Sequence, residues 1–96
     1  MNKKFSFQPE TVVIQKKGFV TAEMDGETAM MSIDRGKYYS LDLVGSRIWE
    51  IITKPMAVGE VINILMVEYE VEIDTCERDV NAFLEKMYAE GLVEFV

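Results

Sequence analysis

The only thiol in this 96-residue chain, Cys76, and its 17 carboxylates are the side chains with most chemistry to offer, because the sequence contains no histidine. A cysteine attacks as the thiolate and needs a basic neighbour to become one. The usual base is missing, and Cys76 falls on the apolar face of a helical segment, where a free thiol is ordinary core. One thiol and scattered carboxylates do not compose a metal site. The acidic run Glu68, Glu70, Glu72 and Asp74 alternates with Tyr69, Val71 and Ile73. It lacks the glycine and ligand spacing of a calcium loop and reads as a solvated connector. The chain is therefore expected to be no enzyme and to hold no cofactor or metal.

Charge narrows the partners. The 17 acidic against 10 basic side chains leave a net charge of -7, which repels phosphate and favours cationic or neutral partners. A recognition helix for DNA needs Arg, Lys, Asn or Gln facing the groove. The last helical segment instead carries Glu77, Asp79, Glu85 and Glu90 against Arg78 and Lys86, so no nucleic acid is expected. A lone cysteine makes no internal disulfide, and the start MNKKFSFQPE has no apolar run for a signal sequence or a membrane span. A cytoplasmic setting with no membrane partner follows. With 49% apolar residues one modest core is within reach. The expectation is a flexible N-terminal arm over residues 1–9, in which only Phe5 and Phe7 tuck inward, and a single domain over 10–96.

The elements that must position any site are clearest between Glu27 and Ile52, where the hydrophobic period changes from two to about 3.6. Ala29, Met31 and Ile33 alternate with Thr28, Met30 and Ser32 along a strand. Asp34-Arg35-Gly36 turns the chain, and Lys37 to Leu41 forms the second strand of a hairpin. Asp42 then caps a helix with Val44, Ile48, Ile51 and Ile52 as its stripe. Upstream, Thr11 to Gln15 and Phe19 to Met24 are extended, the latter closed by an Asp25-Gly26 turn. Whether Lys16-Lys17-Gly18 separates two strands or bulges one long strand stays open. A second helix is expected from about Pro55 to Tyr69, with Val58, Val61, Ile62, Leu65 and Tyr69 on one face. A third starts with Asp74 as cap and carries Cys76, Val80, Phe83, Leu84 and Met87 before Gly91 ends it. Leu92 to Val96 is one more extended piece. The fold class is α+β: a small antiparallel sheet of three to four strands packed on three helices, arranged like a winged helix-turn-helix.

One segment carries more than a fold class. Ala29-Met30-Met31-Ser32-Ile33-Asp34, then Gly36-Lys37-Tyr38-Tyr39-Ser40-Leu41-Asp42, then Val44-Gly45-Ser46-Arg47-Ile48-Trp49 resembles the PqqD family of small leader-peptide recognition domains, the RiPP recognition elements. The flavour is nearest the stand-alone members of lasso peptide biosynthesis. The paired Met30 and Met31, and Asp42 in place of the more usual Asn, depart from the family pattern.

The resemblance implies a peptide-binding module. The leader of a ribosomal precursor would lie antiparallel to the strand at Lys37, Tyr38, Tyr39, Ser40 and Leu41. It would occupy the cleft between that strand and the last helix, at Asp79, Val80, Phe83, Leu84 and Met87. The physics agrees, since an extended peptide added to a free edge gains main-chain hydrogen bonds while pockets select alternate side chains. Phe83 and Leu84 serve packing before contact, Tyr38 offers a polar handle to a partner, and Trp49 belongs to the core. Implied partners are the precursor leader, a separate leader peptidase and a cyclase. The runners-up are a precursor carrier for a radical enzyme of quinone cofactor biosynthesis and an acidic winged-helix interaction regulator. The sequence leaves oligomeric state open.

Overall fold

A computed structural model describes residues 7–96. The architecture is α+β, and the described residues form three helices and six short strands divided between two antiparallel three-stranded sheets. One sheet takes the order β2-β3-β4, from Phe19–Met24, Glu27–Ser32 and Tyr38–Leu41. Its first turn is the one expected: Asp25 and Gly26 both adopt positive φ, 53° and 84°, the twist that suits a two-residue hairpin. In its second turn Gly36 has φ 67° and donates its N–H to Ser32 O at 2.8 Å. Along β3, Met30 and Ser32 are buried and Ala29 is exposed, so the period of two sorts the strand's faces.

The second sheet is where sequence and structure part. A single sheet was expected, but β1 (Val12–Gln15) does not pair with β2. It lies between β5 (Met56–Ala57) and β6 (Val93–Phe95). Residues 11–24 therefore form two strands in different sheets, and Lys16-Lys17-Gly18 is the crossing between them, with Gly18 at φ 102°. Alternation identifies a strand but says nothing about a partner 40 or more residues away.

The helices follow their apolar stripes with shifted ends. In α1 (Leu43–Ile51) Asp42 is the expected cap, its Oδ1 accepting from Gly45 N–H at 2.7 Å. Of its expected stripe Ile48, Ile51 and Ile52 are buried and Val44 is exposed, while Gly45 and Trp49 complete the buried face. Helix α2 (Val58–Tyr69) begins three residues after Pro55, because Met56–Ala57 is drawn into β5. Its first amides are satisfied from far away: Val58 N–H donates to Thr11 O at 2.8 Å and Gly59 N–H to Pro9 O at 3.0 Å. Tyr69, expected on its buried face, is exposed. Helix α3 (Ile73–Ala89) starts one residue before the expected cap, so Asp74 sits in the first turn, where its charge suits the helix dipole, and Glu72 is the cap. Gly91, at φ 80°, ends it as expected.

The core lies between the sheets and helices, with Val13, Met30, Ile48, Ile52, Val58, Leu84 and Leu92 almost fully enclosed, and Trp49 is part of it. Phe7 is also buried. Its ring lies 4.9 Å from that of Phe95, and its N–H donates to Asn81 Oδ1 at 2.9 Å. Phe5 falls outside the described residues.

Candidate functional site

The sheet β2-β3-β4 has a free edge at β4, and the hydrogen-bond parity shows which groups it offers. Ser32 N–H donates to Lys37 O at 2.8 Å, and Met30 stands opposite Tyr39. Odd-numbered residues of β4 thus bond inward, which leaves the N–H and C=O of Tyr38 and Ser40 pointing out of the sheet. At the end of the ladder the hydroxyl of Ser46 is inserted between strands. It accepts from Thr28 N–H at 2.8 Å and donates to Leu41 O at 3.2 Å, tying β3 and β4 to α1.

Beside this edge runs a groove of about 280 Å3 against α3, lined by Tyr39, Leu41, Phe83, Lys86, Met87 and Glu90 among others. Phe83 is half-buried and its ring rests on α1 at Gly45, where an added Cβ would stand 2.8 Å from a ring carbon. Only glycine lets the ring settle there. The far rim is clasped to the end of α3. Tyr39 OH donates to Glu90 Oε1 at 3.3 Å, Lys37 Nζ lies 3.4 Å from the same oxygen, and Arg35 Nη1 donates to Glu90 O at 2.9 Å. The arginine also places positive charge at a helix C-terminus.

The residues singled out in the sequence are distributed as follows. Tyr39, Ser40, Leu41, Phe83 and Met87 meet at the groove. Tyr38 is 78% exposed and projects from the opposite face of the sheet. Lys37 stands exposed at the rim, and Asp79 is exposed on α3 away from the groove lining. Val80 and Leu84, at 1% and 0% exposure, are core behind the groove. Sequence reasoning missed Lys86 and Glu90 as groove residues, although they follow Phe83 at i+3 and i+7 and so share its helix face. It also missed the outer face of the sheet, where Val20, Met24 and Tyr38 are exposed beside Ala22, Ala29 and Met31.

Two further features bear on chemistry. Cys76 is buried with Sγ 3.7 Å from Ile62 O, and its thiol pKa is pushed up by burial first, then by Asp79 and Glu77. That is the opposite of an activated nucleophile. Arg47 binds Glu68 (Nη2 to Oε2, 2.6 Å) and Glu50 (Nη1 to Oε1, 2.9 Å), joining α1 to α2. These hydrogen bonds raise the arginine's pKa and hold the Glu68 carboxyl below its ordinary value. Among the described residues no three His, Cys, Asp or Glu side chains gather as a metal site, and no helix is long and apolar enough to cross a membrane.

Residues 27–93 match the family described as coenzyme PQQ synthesis protein D (PqqD). The chain belongs to the PqqD family. Within the PqqD match lie β3, β4 and all three helices, hence every residue of the groove. The chain is also similar to the solved structure of TbiB1 in complex with the TbiA(beta) leader peptide. That likeness has 32% identity, 84% of this chain and 94% of that one covered, and a TM-score of 0.77. A lasso peptide synthetase B1 complexed with the leader peptide shares the fold at TM-score 0.75 and 22% identity, over 85% of this chain and 96% of that one. No curated protein matches the chain.

Proposed function

We propose that this PqqD-family chain is a non-catalytic recognition module that binds the leader of a ribosomal precursor peptide by strand addition at β4. It then presents that leader to a separate leader peptidase and a cyclase in lasso peptide biosynthesis, in the cytoplasm. The observation that carries the reading is the uncharged edge at Tyr38–Leu41, open along its main chain and backed by an apolar groove to α3. The similarity to a TbiB1 structure that contains a leader peptide supports it.

In this reading Tyr38 and Ser40 supply main-chain hydrogen bonds, and Tyr39, Leu41, Phe83 and Met87 form the floor for alternate leader side chains. Val80 and Leu84 act from behind, by setting the position of α3. Lys37, held at the rim by Glu90, and Asp79 meet charged leader residues, chiefly accelerating association. The domain over 10–96 does the binding, with Phe7 and Pro9 of the preceding segment packed onto it. The absence of histidine and the buried Cys76 support the non-catalytic part.

The test is a titration of a fluorescent leader into the purified chain, with duplex DNA as control. Saturable leader binding, an unaltered peptide mass and no DNA binding are expected. DNA binding without leader binding would instead favour the acidic winged-helix regulator. A second reading rests on the family description, coenzyme PQQ synthesis: a precursor carrier for a radical enzyme of quinone cofactor biosynthesis. Preferential binding of a quinone-precursor peptide over a lasso leader would select it.

A further inference from the structure

The same sheet has a second free edge, β2, and nothing in the leader reading employs it. The two-residue Asp25-Gly26 turn makes Met24 and Glu27 a hydrogen-bonded pair, and Ile33 N–H donates to Gly18 O at 3.3 Å. Even-numbered residues of β2 therefore bond to β3, and Phe19, Thr21 and Glu23 turn their N–H and C=O outward. The space alongside is open. Two neighbouring grooves, of about 660 and 420 Å3, run along this edge and share Gln15, Thr21, Trp49 and Thr53.

The charges along β2 are arranged by sign. Lys16 and Lys17 stand at its start, and Glu23 and Asp25 at its end. None of the four takes part in an ion pair among the described residues. The other charged groups of the larger groove, Arg47 and Glu50, are engaged with each other and with Glu68. A strand that is positive at its start and negative at its end is matched by an antiparallel strand of the same polarity, which is another β2.

We propose that β2 pairs antiparallel with β2 of a second copy of this chain, in the register that sets Val20 opposite Val20. Phe19 then exchanges hydrogen bonds with Thr21 of the other copy. Lys17 falls opposite Glu23, once at each end of the pair, and both side chains line the groove side of the strand. Val20 meets its counterpart on the outer face as a non-hydrogen-bonded pair, the class that brings side chains closest. The product is one six-stranded sheet with a twofold axis at its centre and a free β4 at each outer end. Each dimer therefore exposes two β4 edges, and β2 pairing and occupancy of β4 do not compete.

Sedimentation velocity over about a hundredfold range of protein concentration tests this, since mass action governs the fraction dimerised. A concentration-dependent monomer–dimer equilibrium is expected. Lys17→Glu and Glu23→Lys should each raise the dimer dissociation constant at least about tenfold, and the double variant should restore it, as opposite-charge pairs are exchanged in order. Thr21→Pro, which removes an outward donor, should abolish the dimer while leaving leader binding intact. If Thr21→Pro fails to fold, the charge-swap series decides alone. A chain that stays monomeric throughout would overturn the proposal, as would a dimer indifferent to these charges. A dimer dissolved by saturating leader would place the contact at β4 and overturn it equally. Because leader binding is measured separately, failure here leaves the leader reading standing.

Discussion

The two free edges of one sheet differ in length, charge and what lies beside them. β4 has four residues, Tyr38–Leu41, none of them charged, and faces an apolar groove whose rim is fixed to α3 through Glu90. β2 has six residues and carries Glu23, with Lys17 before it and Asp25 after it. Charges on an edge strand ordinarily discourage indiscriminate pairing. Hydrogen-bonding capacity alone does not decide what an edge accepts. An uncharged edge with a preformed groove suits a foreign extended peptide chosen by its side chains. An edge with opposite charges at its two ends rejects most strands and suits its own copy.

Proline scanning breaks or upholds that contrast most sharply. Ser40→Pro removes an outward donor and thrusts a ring toward any added strand. Leader affinity should fall by at least about tenfold, or about 1.4 kcal/mol, in a chain whose circular dichroism is unchanged. Thr21→Pro, the same chemical change on the other edge, should leave leader affinity within about twofold. Equal losses from both variants would show that the edges are not specialised.

A second experiment probes the Ser46 hydroxyl, which bridges β3 and β4 but has no counterpart between β2 and β3. Ser46→Ala leaves Thr28 N–H and Leu41 O without that partner and should cost about 1–3 kcal/mol of stability by urea denaturation. Hydrogen exchange should quicken at Tyr39 and Leu41 before it does at Val20 or Ala22. Uniform quickening would mean that the bridge serves the whole domain rather than the β4 side.

Cys76→Ala should lie below this, at about 1 kcal/mol, with leader delivery in a reconstituted processing assay preserved. Lost turnover in a folded variant that still binds leader would reopen a covalent role for the thiol. The smallest effect is expected near β2, at Arg47. Its bond to Glu68 holds that carboxyl below its ordinary value, so its contribution is present above the ordinary carboxylate pKa of about 4.3. It disappears as pH falls through the lower, folded value. Both side chains are about a third exposed, so Arg47→Met should cost at most about 0.5 kcal/mol at neutral pH. The difference from wild type should vanish in acid-denaturation measurements at the lowest pH. A difference that grew on acidification would refute the linkage.

Much of the fold is legible where its cause is local. Asp25-Gly26, the Asp42 cap and Gly91 each act within a few residues, and the helical stripes of α2 and α3 largely coincide with buried side chains. What escapes the sequence is held from a distance. β1 finds partners in β5 and β6, far along the chain, and the start of α2 is fixed by carbonyls of Pro9 and Thr11 rather than by Pro55. Neither leaves a local pattern. The groove divides the same way. The helical period gathers Phe83 and Met87, but a period does not reveal that Lys86 and Glu90 face β4 rather than solvent. Nor does it show Phe83 settling onto Gly45, which depends on how two helices cross. Alternation separates Tyr38 from Tyr39 without saying which face meets α3.

If the leader is read at β4 as proposed, the shortness of that strand limits how much text can be read there. Four residues at about 3.3 Å each span roughly 13 Å, and every second side chain of an added strand faces the groove. About two positions are inspected at a time, each by a floor that distinguishes shape and apolarity more readily than chemical detail. Such a window is a short password, and many unrelated peptides in a cell will contain an acceptable version of it. Under the proposed function, discrimination between a true precursor and a chance match then calls for a second, independent reading elsewhere on the peptide.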